Sequence, residues 1–201
     1  MKMGNLEKQF VNSSNHSLQV SKRAERLLRY VNLTSGLTYL DVGTGNGAAP
    51  IYMAQNYGLH VTGVDIDPEQ IRLAERSSAG IPHTRFLTVD GAQLPFEDDE
   101  FDIVSTFKAT HHIPNWEEAL AEMFQVLKPQ GYFVYVDFVF PQWLARLAQP
   151  IVGAKVGIPT LAGLNACLRE HGLSPIYWSK PFVHYEGVFQ KNWLRRWGAW
   201  G

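Results

Sequence analysis

A short apolar run that meets three closely spaced glycines is the feature that most constrains this chain. The run Tyr39–Val42 is followed by Gly43, Gly45 and Gly47, and a helical pattern begins directly afterwards. Glycine permits positive φ angles and a close approach of the backbone to a ligand. The first turn of the following helix leaves backbone N–H groups without helical partners. The pattern therefore predicts a buried strand that turns tightly into a helix and binds a nucleotide-like ligand there.

A second apolar run supports the prediction of a nucleotide-like ligand but does not identify the nucleotide. The run Leu59–Asp65 ends on a carboxylate, which at the end of a parallel strand can accept bonds from both ribose hydroxyls. Gly43, Gly45 and Ala48 match a permissive dinucleotide-binding pattern, so a nicotinamide-dependent oxidoreductase is one alternative. A tight strand-to-helix turn with no ligand is another. Gly47 comes one residue early for a dinucleotide site, and this favours a different nucleotide.

Motifs farther along the chain narrow the choice. Asp41 stands inside the first strand, and the chain continues with "FLTVDGAQLPFEDDEFDIV" (Phe86–Val104) and "HHIPNWEEALAEMFQVLKPQGYFVYVDF" (His111–Phe138). Taken in order with the glycine turn, these motifs resemble the class I S-adenosylmethionine-dependent methyltransferases, in their small-molecule, type 11-like branch. The resemblance covers about residues 38–138 and is specific for the cofactor, not for the acceptor.

The resemblance implies an α/β fold. The expected architecture is a Rossmann-like, seven-stranded, mostly parallel sheet with helices on both faces and an antiparallel C-terminal edge strand. A chain of 201 residues fits one domain. Within it we expect four segments. They are an N-terminal lid helix at 1–31, a cofactor-binding core at 38–138, a substrate-lid insertion at 139–164 and a terminal strand pair at 174–191.

Periodicity and capping residues give approximate element bounds. Strands are predicted at about 38–43, 60–65, 84–89, 102–107 and 132–138, and helices at 17–31, 48–57, 143–151 and 160–171. Asp67 is predicted to cap a helix that has Pro68 in its first position, with Gln70 reaching back. Asn115 is predicted to cap another helix, whose apolar stripe is Leu120, Met123, Phe124 and Leu127.

The resemblance assigns the cofactor contacts residue by residue. The glycine turn would hold the amino acid end of S-adenosyl-L-methionine and face its ribose, Asp41 would order the turn, and Asp65 would take the ribose hydroxyls. Ile66 would pack on the adenine, and Asp90 would accept from the adenine amino group. The remaining contacts are backbone contacts, from Gly43, Thr44, Gly45, Gly91 or Ala92, and Lys108. Three of the assigned side chains also have a structural alternative: a buried salt bridge for Asp41, core packing for Ile66, and a turn cap for Asp90.

Paired histidines are the candidates for catalysis. His111 and His112 follow the fourth strand, beside the expected position of the transferred methyl, and a neutral imidazole suits a general base. Asp137, at the end of the fifth strand, is a weaker candidate. Methyl transfer needs a base only when the nucleophile must lose a proton.

Composition restricts partners and compartment. A net charge of −1 gives no general attraction to nucleic acid, and Cys167 as the single cysteine excludes an internal disulfide and a cysteine metal site. A reducing cytoplasm is the expected compartment, and no stretch is apolar enough for an integral membrane segment. The tryptophan- and arginine-rich tail 192–201 leaves a peripheral membrane contact open.

The acceptor is the least determined part of the prediction. The apolar insertion, which includes Trp143, predicts a small apolar or aromatic acceptor, although packing of this segment on the core or on a second copy is an equal alternative. A fold that binds S-adenosylmethionine without catalysis is a further alternative. The sequence leaves the acceptor atom and the oligomeric state undetermined.

Overall fold

The computed structural model describes residues 12–152 and 156–193, except for the side chains of Gln149, Ile151 and Val152. The first part of the predicted lid helix and most of the tail lie outside the described residues. The helices are α1 Ser14–Leu28, α2 Ala48–Tyr57, α3 Pro68–Ser77, α4 Trp116–Val126, α5 Gln142–Val152 and α6 Leu161–Glu170. The strands are β1 Thr38–Val42, β2 His60–Asp65, β3 Thr84–Thr88, β4 Phe101–Phe107, β5 Leu127–Phe138, β6 Leu173–Ser179 and β7 His184–Lys191.

The seven strands form one sheet in the order β3-β2-β1-β4-β5-β7-β6. The first five strands pair in parallel, whereas β7 runs antiparallel to both β5 and β6. This confirms the predicted architecture and adds that the antiparallel β7 lies one position inside the edge, which β6 forms. The carboxyl ends of β1, β2, β4 and β5 consequently meet along one edge of the sheet.

Alternating side chains along the central strands build a core on each face. Leu40 packs in the cluster that includes α4 and α6, whereas its neighbour Tyr39 packs against α1 and α2 on the other face. The predicted stripe of α4, from Leu120 to Leu127, is fully buried in the first of these clusters. Both faces of the sheet are therefore covered, as buried parallel strands require.

The largest differences from the predicted element bounds lie in the first helix and in β5. The first helix begins at Ser14 instead of residue 17, because the Ser13 hydroxyl accepts a bond from the His16 N–H and caps it. β5 begins at Leu127 rather than 132, through a bulge opposite Phe101–Ile103 in which Gln130 adopts φ +64°. Glycine adopts such a left-handed backbone without strain, whereas Gln130 has a Cβ that disfavours it.

The two predicted caps have different outcomes. Asp67 caps α3 as expected, accepting from the Glu69 N–H at 3.0 Å. Gln70 does not reach back, because its amide is buried with no hydrogen-bond partner among the described residues. Asn115 stands at the N-cap of α4, but its amide donates to Glu118 at 2.5 Å and makes no bond to the helix N-terminus.

Candidate active site

A cavity of about 380 Å³ opens at the edge where the parallel strands end. A smaller cavity of about 50 Å³ adjoins it on the side of the glycine turn and is lined by Asp41, Thr44 and Asn46, among others. The residues lining the larger cavity include Gly43, Gly45, Asp65, Ile66, Asp90, Gly91, Lys108, His111 and His112, together with His16, Phe107, Ile113 and Phe138. The predicted site residues therefore line one or other of the two adjoining cavities, except for Ala92 and Asp137.

The glycine turn has the left-handed backbone that its sequence predicts. Gly43, Gly45 and Gly47 have φ angles of +76°, +55° and +78°. A Cβ on Gly43 would lie 2.2 Å from the Cβ of Ala109, so no larger residue fits there without displacement. The turn is fixed to β2, because the Gly43 and Thr44 N–H groups both donate to the Val64 carbonyl. Any polar contact from these two residues' backbone to a ligand must therefore come from carbonyl oxygens.

Asp65 joins the turn to the helix that follows β2. Its two carboxylate oxygens accept from the Gly45 and Asp67 N–H groups, each at 2.9 Å. Burial raises the pKa of Asp65 above its usual range, and these backbone bonds oppose the rise. A carboxylate offers about four acceptor sites, so two remain for hydroxyl donors on the cavity side.

Asp41 is the most deeply buried carboxylate of the cofactor side. It is 2% exposed, and its Oδ1 accepts from Ser105 at 2.6 Å. Because that hydroxyl donates its proton to Asp41, it must accept from Tyr39, whose hydroxyl lies 2.6 Å away. Burial raises the pKa of Asp41 to about 6, with Ser105 and Thr44 working against the rise and Asp65 adding to it. A positively charged group in the small cavity would stabilise both carboxylates.

The salt bridge considered for Asp41 is not found among the described residues. Within those residues, Asp41 contacts hydroxyl groups and no basic side chain.

The end of the cavity predicted for adenine combines apolar and polar groups. Ile66 is 44% exposed and lines the cavity, so its alternative as a core residue is wrong. Asp90 does cap a turn, since its Oδ1 accepts from the Ala92 N–H at 3.0 Å. That bond occupies one carboxylate oxygen and also the Ala92 N–H. Of the two backbone donors predicted for a ring nitrogen, Gly91 is the better candidate.

His111 is held by a buried carboxylate. Its Nδ1 lies 2.5 Å from Asp137 Oδ1, and because a carboxylate can only accept, Nδ1 carries the proton. Asp137 is fully buried and also accepts from the Thr110 hydroxyl at 2.5 Å and from two backbone N–H groups, of His111 and Phe138. Thr110 in turn lies 2.9 Å from the Tyr135 hydroxyl. This network fixes the orientation of the His111 ring.

The two other catalytic candidates stand differently. His112 lines the cavity, and its ring centroid is 4.0 Å from that of His111. Asp137 does not line the cavity, and its four accepted hydrogen bonds hold Thr110, His111 and Phe138 in place.

Lys108 adopts a left-handed backbone with φ +56°, and its N–H donates to the Val136 carbonyl. That N–H is thus unavailable to a ligand. The side chain turns toward β5, where Nζ lies 5.4 Å from the centroid of the Phe138 ring. Lys108 therefore lies on the side of the cavity that holds His111.

Sequence reasoning missed the hydroxyl groups that orient the charged ones. Ser105, Thr110 and Tyr135 are fully buried polar residues within or just after apolar strands. A serine at a core position of β4 was the available signal, because a buried hydroxyl needs a partner. The partner itself could not be identified, since β1 and β4 are far apart in sequence.

The insertion predicted as a substrate lid has an exposed helix. Trp143 and Leu147 in α5 are each 64% exposed, so neither packs on the core. The buried side of α5 contains Ala145 instead. Farther on, Gly157 approaches the histidine loop so closely that a Cβ would lie 2.3 Å from the Ile113 carbonyl oxygen.

Known proteins resemble the central part of this chain. A family model described as a methyltransferase domain matches residues 40–135. Residues 40–135 form a methyltransferase domain of the class I S-adenosylmethionine-dependent type. The matched range includes the glycine turn, all three carboxylates of the cofactor side and the paired histidines.

Individual relatives show the same resemblance over part of their length. The chain is 34% identical over 119 residues to phthiotriol/phenolphthiotriol dimycocerosates methyltransferase 1 of Mycobacterium ulcerans, covering 57% of this chain and 44% of that one. It is 29% identical to 27-O-demethylrifamycin SV methyltransferase of Amycolatopsis mediterranei, covering 84% and 69%. The YcgJ protein of Bacillus subtilis superposes with a TM-score of 0.65 at 26% identity, covering 82% and 72%. The chain thus spans about half the length of several curated relatives that it matches.

Membrane-spanning helices and metal-binding clusters are both absent from the described residues. No helix in residues 12–152 and 156–193 is long and apolar enough to cross a membrane. Within the same ranges, no group of three or more histidine, cysteine or acidic side chains is arranged to hold a metal ion.

Proposed function

We propose that this protein transfers the methyl group of S-adenosylmethionine to a small, largely apolar acceptor, with His111 as general base. The observation that carries the proposal is the His111–Asp137 pair beside a cavity whose other end has carboxylates suited to the cofactor. When bound, S-adenosylmethionine supplies an electrophilic methyl group. The protein must then align the acceptor and, for an O–H or N–H nucleophile, remove its proton.

The residues present fit the cofactor. Asp41 and Asp65 are buried carboxylates without a basic partner among the described residues, which suits an ammonium group and a ribose diol. The exposed Ile66 offers an apolar surface for an adenine ring, and Asp90 a carboxylate at its edge. Gly43 and Gly45 bring the backbone close to the cavity.

The base assignment follows from the tautomer. Because Asp137 fixes the proton on Nδ1, His111 presents Nε2 as an acceptor, and the buried carboxylate stabilises the imidazolium that forms. His111 lines the cavity, so a hydroxyl or amine of the acceptor can reach it. His112 would shape the same wall.

The preference for an apolar acceptor has two supports. Phe107, Ile113 and Phe138 line the cavity on the histidine side. Two relatives carry names that describe methylation of phthiotriol or phenolphthiotriol dimycocerosates and of 27-O-demethylrifamycin SV. Neither support favours a nucleic-acid substrate. The single cysteine fits a reducing compartment such as the cytoplasm.

Calorimetry tests the cofactor first. Micromolar binding of S-adenosylmethionine and S-adenosylhomocysteine, lost in Asp65→Ala and absent for a nicotinamide dinucleotide, is the expected result. The exposed Glu75→Ala in α3 is a matched carboxylate control that should bind normally. Preference for the dinucleotide would contradict the proposal.

Turnover separates an enzyme from a binding protein. Transfer of tritiated methyl to a panel of hydroquinones, phenols and aliphatic acids should yield labelled product with the wild type and much less with His111→Gln. Binding of the cofactor with no transfer to any acceptor, and an unchanged affinity in His111→Gln, would favour the non-catalytic alternative.

A further inference from the structure

The hairpin between β6 and β7 exposes a large apolar side chain at its tip. Phe182 is 90% exposed and adopts a left-handed backbone with φ +60°. A bulky residue rarely adopts that conformation, because it is strained. Trp178, just before the tip, is 60% exposed although its ring stacks on that of Tyr185. The tip thus presents aromatic surface to solvent instead of burying it.

The exposed side of α5 begins next to this tip. The Val139 N–H donates to the Val183 carbonyl at 2.8 Å, and α5 starts shortly after Val139. Trp143 and Leu147, each 64% exposed, share one side of α5 with the exposed Arg146, because residues three and four apart in a helix are neighbours. We call the four exposed apolar side chains of the two elements, Trp143, Leu147, Trp178 and Phe182, the apolar rim.

The apolar rim borders the large cavity. Phe138 lines that cavity and immediately precedes Val139, which is bonded to the hairpin tip. The centroid of the Phe138 ring also lies 4.6 Å from that of His184, the first residue after the tip. The rim and the cavity therefore lie at the same edge of the sheet, where β5 ends and β7 begins.

The segments that carry the rim have only positive charges. From Phe138 to Arg169, and again from His171 to Tyr185, the sequence contains no acidic residue. Arg146 lies between the two apolar side chains of α5, and Lys180 is two residues before Phe182. Neither cation forms an ion pair with any residue in the described ranges. A partner that covers the rim and also carries negative charge would therefore match both properties of this surface.

This combination fits an anionic membrane better than a second copy of the chain. In a two-fold symmetric dimer the same patch faces itself, so Arg146 and Lys180 would meet their own copies with no acid between them. A bilayer interface accepts aromatic side chains at the depth of the headgroups. It also lets arginine and lysine reach lipid phosphates while their carbon chains stay in the apolar layer.

We propose that the apolar rim inserts into the headgroup region of an anionic lipid bilayer, with Arg146 and Lys180 on lipid phosphates. The large cavity would then lie close to the membrane surface. This docking goes beyond the proposed function, because it needs neither cofactor nor acceptor. One consequence does rest on the proposed function: an apolar acceptor dissolved in the bilayer would enter the cavity without crossing water.

Co-sedimentation of the full chain with vesicles tests the proposal. Phosphatidylcholine vesicles with roughly one third phosphatidylglycerol should bind at least ~10-fold more tightly than pure phosphatidylcholine vesicles, because they attract the two cations. Phe182→Gly should weaken binding ~5-fold or more without lowering the melting temperature, because glycine adopts φ +60° without strain. Arg146→Gln and Lys180→Gln should each reduce the preference for anionic vesicles. Trp193→Ser is the matched control, since Trp193 is 72% exposed beyond the other end of β7.

Vesicles with brominated acyl chains report which tryptophan enters the bilayer. Quenching of the wild-type fluorescence by these lipids should decrease in Trp143→Phe and in Trp178→Phe. It should be unchanged in Trp193→Phe.

Three outcomes would overturn the proposal. The first is undetectable binding to anionic vesicles at low salt. The second is binding that survives Phe182→Gly and Trp143→Ser and is lost in Trp197→Ser, which would assign the membrane contact to the tail 192–201. The third is a dimer in analytical ultracentrifugation that Phe182→Gly dissociates, with no vesicle binding, which would assign the rim to a second copy.

Failure of the proposed function would look different. Calorimetry without vesicles would then detect no binding of S-adenosylhomocysteine, whereas vesicle binding would be unchanged. Loss of vesicle binding with normal S-adenosylhomocysteine affinity would contradict the docking proposal alone.

Discussion

Replacement of Asp41 by asparagine should make the ligand-free protein more stable and its cofactor affinity lower. Burial raises the pKa of Asp41 to about 6 from its ordinary value of 3.8. At 1.36 kcal/mol for each pH unit, the ionised carboxylate costs the folded state about 3 kcal/mol at pH 8. The neutral amide of Asp41→Asn would avoid that cost. Its unpaired N–H group would itself destabilise the folded state by about 1–2 kcal/mol. The expected net gain in unfolding free energy is about 1–2 kcal/mol.

The pH dependence gives this prediction its sign. A folded-state pKa above the unfolded value means that the folded protein binds the proton more tightly, so the cost is complete above pH 6. As the pH falls from 6 toward 4, the wild type gains stability from this group and the advantage of Asp41→Asn disappears. Urea denaturation of both proteins at several pH values measures the difference directly.

Ligand binding should move in the opposite direction. Because an ionised Asp41 would attract the ammonium of the cofactor, Asp41→Asn should bind S-adenosylhomocysteine at least ~10-fold more weakly at pH 8. Asp102→Asn is the contrasting control. Although burial works to raise the pKa of Asp102, its bonds with Lys128 and Thr38 lower it, so this variant should lose stability at pH 8. An Asp41→Asn variant destabilised by ~2 kcal/mol or more, or a difference independent of pH, would refute the reasoning.

Three further predictions concern catalysis and backbone conformation. His111→Gln and Asp137→Asn should each lower turnover by about 100-fold in the tritium assay while S-adenosylhomocysteine affinity is unchanged. The first change removes the proposed base, and the second removes the carboxylate that fixes its tautomer. A parallel loss of affinity would argue for a structural role. Gly43→Ala should lower stability by about 3 kcal/mol in thermal melts, because its methyl would meet Ala109 from a left-handed backbone. Gln130→Gly should raise stability by about 0.5–1 kcal/mol, since φ is +64° there; a loss would show that the Gln130 side chain outweighs the strain.

The cofactor half was predictable because its signals are local. Gly43, Gly45 and Asp65 follow apolar runs at fixed spacing, and parallel strands bring their carboxyl ends together. The helix cap at Asp67 is equally local, which explains why it could be identified from neighbouring residues.

The acceptor half was less predictable because its geometry depends on distant contacts. His111 was a candidate, but its orientation by Asp137 joins residues 26 apart through the pairing of β4 and β5. The exposure of Trp143 likewise depends on which side of α5 faces the sheet, and the apolar pattern alone did not decide this.

The two ends of the insertion after β5 are joined to each other at one place. Phe140 pairs with Thr160, and the Phe140 N–H and carbonyl bond to Pro159 and Leu161. The stretch between these residues is connected to the rest of the chain at two points that lie next to each other. Lengthening such a segment costs little conformational entropy. Grafting a different segment between the same two anchor points would then replace the surface that α5 exposes and leave the glycine turn and its carboxylates unchanged.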